Sequence, residues 1–508
     1  MPPNKTKKKT VRTAPRRSLP EVVLSNSELT RVVAREVARG RLKKIGPRLY
    51  TTNTTDTPAA IVRRNLWVLL GQMLPQATVG FRTALDGIPS ADGHVYLTGA
   101  YARTIRLPGH RVHVARGPGR LKGDAPFVGG LYLASRERAL LESVSASPRR
   151  SGLTRGISDQ KLQEWLARHL QIGGETALNT LRDNARELAP MLRAERAHDR
   201  ISDIIGTLLG TRRASVTSPA ALARLAGRPY DSARLPLFEA LLAELRARPI
   251  VSRPDRNTDE ERWRHSAFFD AYFSNYIEGT EFELGEAMQI VFDGRIPATR
   301  SQDAHDVLGT FRLLIDRSSL AKSFAAMDSD AFVALLQARH ARMLSERPEV
   351  RPGQFKTEVN RAGETVFVVP ELVPGTLQRG FEVMRALRDP FAVAAFAMFL
   401  IAEVHPFDDG NGRLARVFMN AELAAARETR IIVPTVYRDD YLQALRALSR
   451  QGRPKAFVAM LDRAQRFASE LDFRVLPRIT EVLAGCDAFR EPGEGRLRLP
   501  SEIGPRPA

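Results

Sequence analysis

Residues 405–416 read His-Pro-Phe-Asp-Asp-Gly-Asn-Gly-Arg-Leu-Ala-Arg. His405 changes charge near neutral pH and can take a proton from an incoming nucleophile. Asp409 is a hard oxygen ligand of the kind that shares Mg²⁺ with phosphates. Gly410 and Gly412 carry no Cβ, so the backbone between them can approach an anion closely. Arg413 and Arg416 stand three apart and fall on one side of any helix that follows. Together these residues could hold a nucleotide polyphosphate and activate a hydroxyl that attacks it.

The flanking sequence predicts how the set is positioned. Phe391 to Glu403 is apolar and rich in helix formers, and reads as a buried helix. Arg413 to Arg427 is Ala- and Leu-rich without a proline and reads as a second helix. The Gly-Asn-Gly turn then lies at a helix N-terminus, where unpaired backbone N–H groups and the helix dipole favour an anion.

With those residues in view, the segment resembles the Fic signature His-Pro-Phe-x-(Asp/Glu)-Gly-Asn-Gly-Arg-x-x-Arg, and every fixed position is filled. The resemblance implies nucleotidyl transfer, most often of AMP from ATP to a protein hydroxyl. His405 would be the general base for a Ser, Thr or Tyr of a target protein, and Phe407 would anchor the loop. Asp409 would hold Mg²⁺ against the phosphates. Gly410, Asn411 and Gly412 would form the anion hole, Arg413 and Arg416 would hold the outer phosphates, and Asp408 joins the nucleotide-binding set. Attack would be in line at the α-phosphorus with pyrophosphate leaving. Some relatives transfer phosphocholine, UMP or phosphate instead. The phosphate-transferring kind departs from the signature at the glycine after Asn, and Gly412 is present here.

Two upstream segments extend the resemblance. Phe268 to Gly279 reads as an aromatic-rich helix stopped by glycine. Within it Ser274, Glu278 and Gly279 resemble the inhibitory pattern (Ser/Thr)-x-x-x-Glu-(Gly/Asn). That pattern implies a glutamate paired with Arg416 that blocks the productive pose of the ATP γ-phosphate. One guanidinium cannot serve a carboxylate and a phosphate in the same geometry. The same glutamate could activate water in the reverse reaction. Residues 351–374 hold short β-prone runs around the turn Ala362-Gly363, a hairpin that resembles the Fic flap, which pairs with a target's main chain. The resemblance covers residues 255–500.

The bulk properties bound the rest. A chain of 508 residues with 43% hydrophobic content should form two or more domains with real cores. No apolar run reaches the roughly 18 residues of a membrane span, and no secretory signal is visible. The single cysteine, Cys486, excludes internal disulfides and cysteine-based metal sites, and suits the reducing cytoplasm. It reads as a passive core residue. The net charge of +20 is concentrated at the front, where residues 1–50 carry fourteen Lys and Arg against three Glu. Such a bias suits a polyanion partner.

Four regions follow. Residues 1–20 read as a basic disordered tail. Residues 21–150 read as a small α/β region: a helix from Ser27 capped by Ser27 or Asn26, a stop at Gly40, then a basic hairpin over 41–52. Helix followed by hairpin is the end of a winged helix, which would bring DNA to residues 1–60. This region resembles AbiEi-type antitoxins through Arg39-Gly40, Leu42, Ile45 and Tyr50. It departs from a complete winged helix in having no clear helix before the first, so protein contacts are the alternative. Residues 151–250 read as a helical connector with no site of its own, and 251–500 as the Fic-type helical bundle with the inhibitory helix at 266–279. The class is mainly α. Eight histidines, His340 among them, show no metal-ligand spacing and read as ordinary polar residues. The readings in play are an autoinhibited AMP transferase using ATP and Mg²⁺, with self-association common among Fic domains, and a DNA-binding regulator whose Fic domain senses nucleotide.

Overall fold

The computed structural model describes residues 19–146, 155–212, 214–363 and 365–503. Except for Leu19 and Pro20, the basic tail read at residues 1–20 lies outside them. The chain divides into two compact units, Met1–Ser218 and Pro219–Ala508. No helix among the described residues is long and apolar enough to cross a membrane.

The first unit opens with β1 (Val22–Leu24), α1 (Thr30–Ala38), β2 (Lys43–Gly46) and β3 (Leu49–Thr51), whose strands order β1-β3-β2. The hairpin expected over 41–52 is β2–β3, and β1 adds a strand too short to leave a sequence pattern. The helix begins at Thr30 rather than Ser27, because residues 27–29 form a turn and the Asn26 side chain accepts from the Leu29 N–H at 2.8 Å. Val23, Val33 and Leu42 make a small core beneath it.

Next come α2 (Pro58–Met73), β4 (Thr78–Val79), α3 (Phe81–Asp86), β5 (His94–Gly99), β6 (Arg103–Leu107), β7 (His110–Arg116), β8 (Ala125–Phe127), β9 (Leu131–Leu133) and α4 (Arg136–Val144). The strands form one mixed sheet in the order β6-β7-β5-β4-β9-β8. β5 is buried on both faces while β7 alternates, and Val95, Leu97, Val112 and Val114 share one core with Ile61, Leu66 and Leu70 of α2. Arg138 on α4 is fully buried between Asp124 and Glu142, at 2.5 and 2.9 Å. The unit ends with α5 (Asp159–Leu192), interrupted at Gly174, and α6 (Glu195–Leu208).

The second unit begins with α7 (Pro219–Leu225) and α8 (Leu235–Ala247). The connector read over 151–250 therefore does not end where the sequence suggested. Phe238, Leu241 and Leu245 of α8 lie in this unit's core, with the Phe238 ring 6.0 Å from Phe396. An amphipathic helix announces an apolar stripe but not its partner. Then follow α9 (Glu260–Ile277), α10 (Leu284–Asp293), α11 (Ser301–Ile315), α12 (Arg317–Leu320) and α13 (Ser329–Met343). The hairpin β10 (Arg361–Ala362) and β11 (Thr365–Val366) is antiparallel, with Arg361 opposite Val366 and Ala362 opposite Thr365.

After the hairpin come α14 (Val373–Met384), α15 (Pro390–Val404), α16 (Asn411–Ala425), α17 (Arg438–Gln451), α18 (Lys455–Ser469) and α19 (Leu476–Gly485). From Phe391 to Val404, α15 is buried on every side, which explains why its sequence is apolar all round. It packs along α16, with α8 and α14 against its other faces. The mainly α class holds for this unit. Cys486 is fully buried, and burial pushes its thiol up to about 11, so it is an inert core residue.

Candidate active site

The loop between α15 and α16 carries the residues singled out in sequence. His405 leaves α15 in the left-handed conformation (φ 52°, ψ 62°), its N–H still donating to the Ile401 carbonyl at 2.9 Å. Phe407 is fully buried, and its ring stacks on that of His340 at 3.7 Å. Gly410 caps α16 at φ 74°, a left-handed conformation that favours glycine. A Cβ on Gly412 would fall 2.1 Å from Glu278 Oε1. The space over the first turn of α16 is thus already occupied by a carboxylate. The N–H groups there have no helical acceptor of their own, so this is where an anion belongs.

Glu278 ends α9, and Gly279 follows it at φ 91°. Its Oε1 accepts from Arg416 Nη2 at 2.7 Å. Arg416 is spent in every direction. Its Nε donates to Ser274 Oγ at 2.8 Å, its Nη2 also to the Ser274 carbonyl at 2.7 Å, and its Nη1 to Tyr441 OH at 3.3 Å. Burial works to raise the Glu278 carboxyl, but Arg416 first, then Arg413 and His405, outweigh it and hold it below the usual carboxylate range. Ser274, Glu278 and Arg416 are therefore brought together as the sequence pattern implied.

Arg413 is buried and pairs with Asp306 at 2.6 Å and with Asp409 at 3.3 Å. Arg347 reaches the same two carboxylates, at 2.9 and 3.7 Å. Against the pull of burial, Arg413, the Gly410 N–H and Arg347 keep Asp409 below its ordinary value. Its side chain remains 45% exposed at the loop's outer edge. A single half-exposed carboxylate fits Mg²⁺ completed by phosphates and water. Among the described residues no group of three or more His, Cys, Asp or Glu could hold a metal without such help.

His405 lies under the ring of Phe367, 3.8 Å away and nearly parallel. Burial, then the charge of Lys356, pushes its imidazole down to about 4, with the Ala402 carbonyl, Glu278 and Asp409 acting the other way. The ring is neutral at physiological pH and able to accept a proton.

Two residues of the expected nucleotide-binding set have side chains engaged within the protein. Asp408 is turned aside: its Oδ2 accepts from Arg351 Nε and Nη2 at 2.9 and 2.7 Å. The Asn411 side chain is committed to the loop itself. Its Oδ1 accepts from the Phe407 N–H at 2.9 Å and its Nδ2 donates to the Phe407 carbonyl at 2.8 Å. The Asn411 side chain thereby braces the turn at the start of α16.

Other residues escaped the sequence reading. His340 is no ordinary polar residue. Its Nδ1 accepts from the Gly353 N–H at 2.8 Å, which leaves Nε2 to donate to the Asp409 carbonyl at 3.0 Å. Burial pushes it down to about 4, so this tautomer persists across physiological pH. Asp306, Arg347 and Tyr441 complete the electrostatic frame from three other elements. Each lies outside any local motif, so spacing could not reveal it.

A buried polar loop at a helix mouth, flanked by two arginines and a deprotonated imidazole, has the donors and charge that an anion would need. Residues 332–423 match the Fic/DOC family model. The chain is 28% identical over 233 residues to the protein adenylyltransferase fic-1 of Caenorhabditis elegans, an alignment covering 41% of this chain and 45% of that protein. It is 29% identical over 120 residues to a Fido domain-containing protein of Dictyostelium discoideum, covering 22% of this chain and 84% of that one. The chain thus spans less than half the length of the nematode adenylyltransferase. A solved fragment of C. elegans Fic-1 aligns over 64% of this chain and 98% of its own length, at 18% identity and a TM-score of 0.35, too distant to carry a conclusion.

Proposed function

We propose that the second unit is a protein adenylyltransferase held in check by Glu278. In this reading neutral His405 takes the proton of a target Ser, Thr or Tyr hydroxyl. The freed oxygen attacks the α-phosphorus of ATP, the bond to the β-phosphate oxygen breaks, and pyrophosphate leaves. The N–H groups at the mouth of α16 and the Arg413 guanidinium hold the phosphate oxygens in place as charge develops on them. Asp409 would hold Mg²⁺ together with the phosphates; the ion supplies charge neutralisation when bound. The flap β10–β11 offers exposed main chain to an extended target segment.

The observation that carries the reading is the Glu278 carboxylate itself, seated over Gly412 and bonded to Arg416 at 2.7 Å. An anion site occupied by the chain's own carboxylate accounts for both a phosphate-binding design and its restraint. The test is incubation of the full chain with Mg²⁺ and ATP labelled at the α-phosphate. Glu278→Gly should label itself or a lysate protein well above wild type, and His405→Ala in that background should stay blank. Label from the γ-phosphate instead would point to another transferred group.

A second reading, nucleic-acid binding by the first unit, is favoured by one stretch. Residues 100–123 carry six Arg and Lys and no Asp or Glu. Arg106, Arg111 and Arg116 of β6–β7 are exposed. Gel-shift titration of the full chain across salt concentrations tests it: retardation that does not weaken with salt speaks against phosphate contacts.

A further inference from the structure

The segment leading into the flap does more than start a hairpin. Lys356 is 2% exposed. Its N–H donates to the Pro406 carbonyl at 2.9 Å, and its Nζ donates to Asn360 Oδ1 at 2.7 Å and to the Val404 carbonyl at 3.5 Å. Asn360 in turn donates from Nδ2 to the Phe407 carbonyl at 2.9 Å. The carbonyls of Val404, Pro406 and Phe407, which bracket His405 on both sides, are therefore all held by residues 356 and 360. A helix end leaves such carbonyls without partners, and a non-glycine residue in the left-handed region holds only where its surroundings enforce it.

The other side of His405 is covered from the same hairpin. Phe367, directly after β11, stacks on the imidazole at 3.8 Å, and its N–H returns to the Asn360 carbonyl at 3.3 Å. Arg234, paired with Glu403 of α15, donates to the Val366 carbonyl at 2.7 Å. The flap, its root and the end of α15 form one bonded frame with His405 inside it. The charged groups around the imidazole are Lys356 from the flap root, Glu278 from the end of α9 and Asp409 from the loop itself.

We propose that Lys356 and Asn360 are positioning residues that hold His405 in its left-handed backbone conformation and tie it to the flap, so that the hairpin expected to receive the target also sets the base. This rests on reading His405 as the base. Lys356 also places a buried cation beside the imidazole, which favours its neutral form.

The test uses the full chain with ¹³C-labelled histidine, the His405 signal being assigned from its loss in His405→Gln. In wild type this signal should titrate near pH 4. In Lys356→Met the midpoint should move up by a unit or more, and Lys356→Arg should return it most of the way. In the Glu278→Gly background, Lys356→Met should lower kcat tenfold or more while ATP affinity by calorimetry stays within twofold. Asn360→Ala, a milder change at a half-buried site, should lower kcat in the same direction by less. An unmoved His405 midpoint in Lys356→Met overturns the proposal. So does a loss of ATP affinity or of thermal stability in proportion to kcat, since Lys356 would then be general scaffolding. If no variant transfers AMP, the functional reading fails, and the histidine titration still decides whether the clamp exists.

Discussion

Two helix-borne clusters of arginine invite comparison. On α1 and the turn after it, Arg35, Arg39 and Arg41 all point to Glu36, at 3.5, 3.4 and 2.7 Å, and their side chains are 58, 55 and 49% exposed. At the mouth of α16, Arg413 and Arg416 are each 3% exposed and meet Asp306, Asp409 and Glu278. In water a guanidinium can release its partner at little cost, so the α1 cluster is a neutralised, solvated face. A buried guanidinium cannot be left bare. Its anion can only be exchanged for another, and the proposed function rests on Glu278 being exchangeable for a phosphate in that way.

The comparison breaks first at His405. Its removal leaves the phosphate frame intact and takes away only the proton acceptor, so His405→Ala should cut AMP transfer by about 10²–10⁴-fold while ATP still binds, as single-turnover labelling beside calorimetry would report. Gly412→Ala attacks the anion seat itself. Its Cβ would lie 2.1 Å from Glu278 Oε1 and would displace whatever anion sits there. Transfer should fall on the order of a hundredfold, and Glu278→Gly added to it should not restore the rate. Full recovery in that double variant would mean the seat is elsewhere. Glu278→Gly alone should raise transfer about tenfold, the worth of one charge-assisted contact of about 1.4 kcal/mol.

The pH dependence sharpens the same contrast. His405 is pushed down to about 4 from an ordinary value near 6.5, first by burial and then by Lys356. A depressed imidazole stays deprotonated as the pH falls through 6.5 and gains its proton only near 4. The acid limb of kcat/KM for Glu278→Gly, which lacks a carboxylate that raises the imidazole, should therefore lie at or below pH 4, with no inflection at 6.5. An inflection at 6.5 would place the working base in solvent rather than under Phe367.

The structure also shows where sequence reasoning stops. The loop 405–416, the helices around it and the meeting of Ser274, Glu278 and Arg416 were legible because their residues are close in sequence or share a recognisable pattern. The directions taken by the Asp408 and Asn411 side chains are not legible in sequence for a related reason. A motif gives residue types, but Arg351 draws Asp408 away and the backbone of Phe407 absorbs Asn411, and neither contact has a sequence signature. His340, Asp306 and Arg347 went unseen because they come from helices or turns tens of residues away. In sequence α8 reads as connector because its apolar stripe fits any core, and only the rings of Phe396 and Phe399 beside Phe238 reveal which one.

The smallest effect belongs to α1. Glu36 is 8% exposed, yet its three partners stand in solvent. Glu36→Gln keeps the shape and the acceptor oxygen and removes one charge, so the arginines lose attraction that water largely replaces. The shift in unfolding free energy should stay below about 1 kcal/mol, read from the urea midpoint at unchanged slope. The same substitution frees three cations on one short segment, so any affinity of the first unit for a polyanion should rise and become steeper in salt. A loss of several kcal/mol would show that α1 depends on its carboxylate as α16 depends on its own, and the distinction between a solvated cluster and an exchangeable one would collapse.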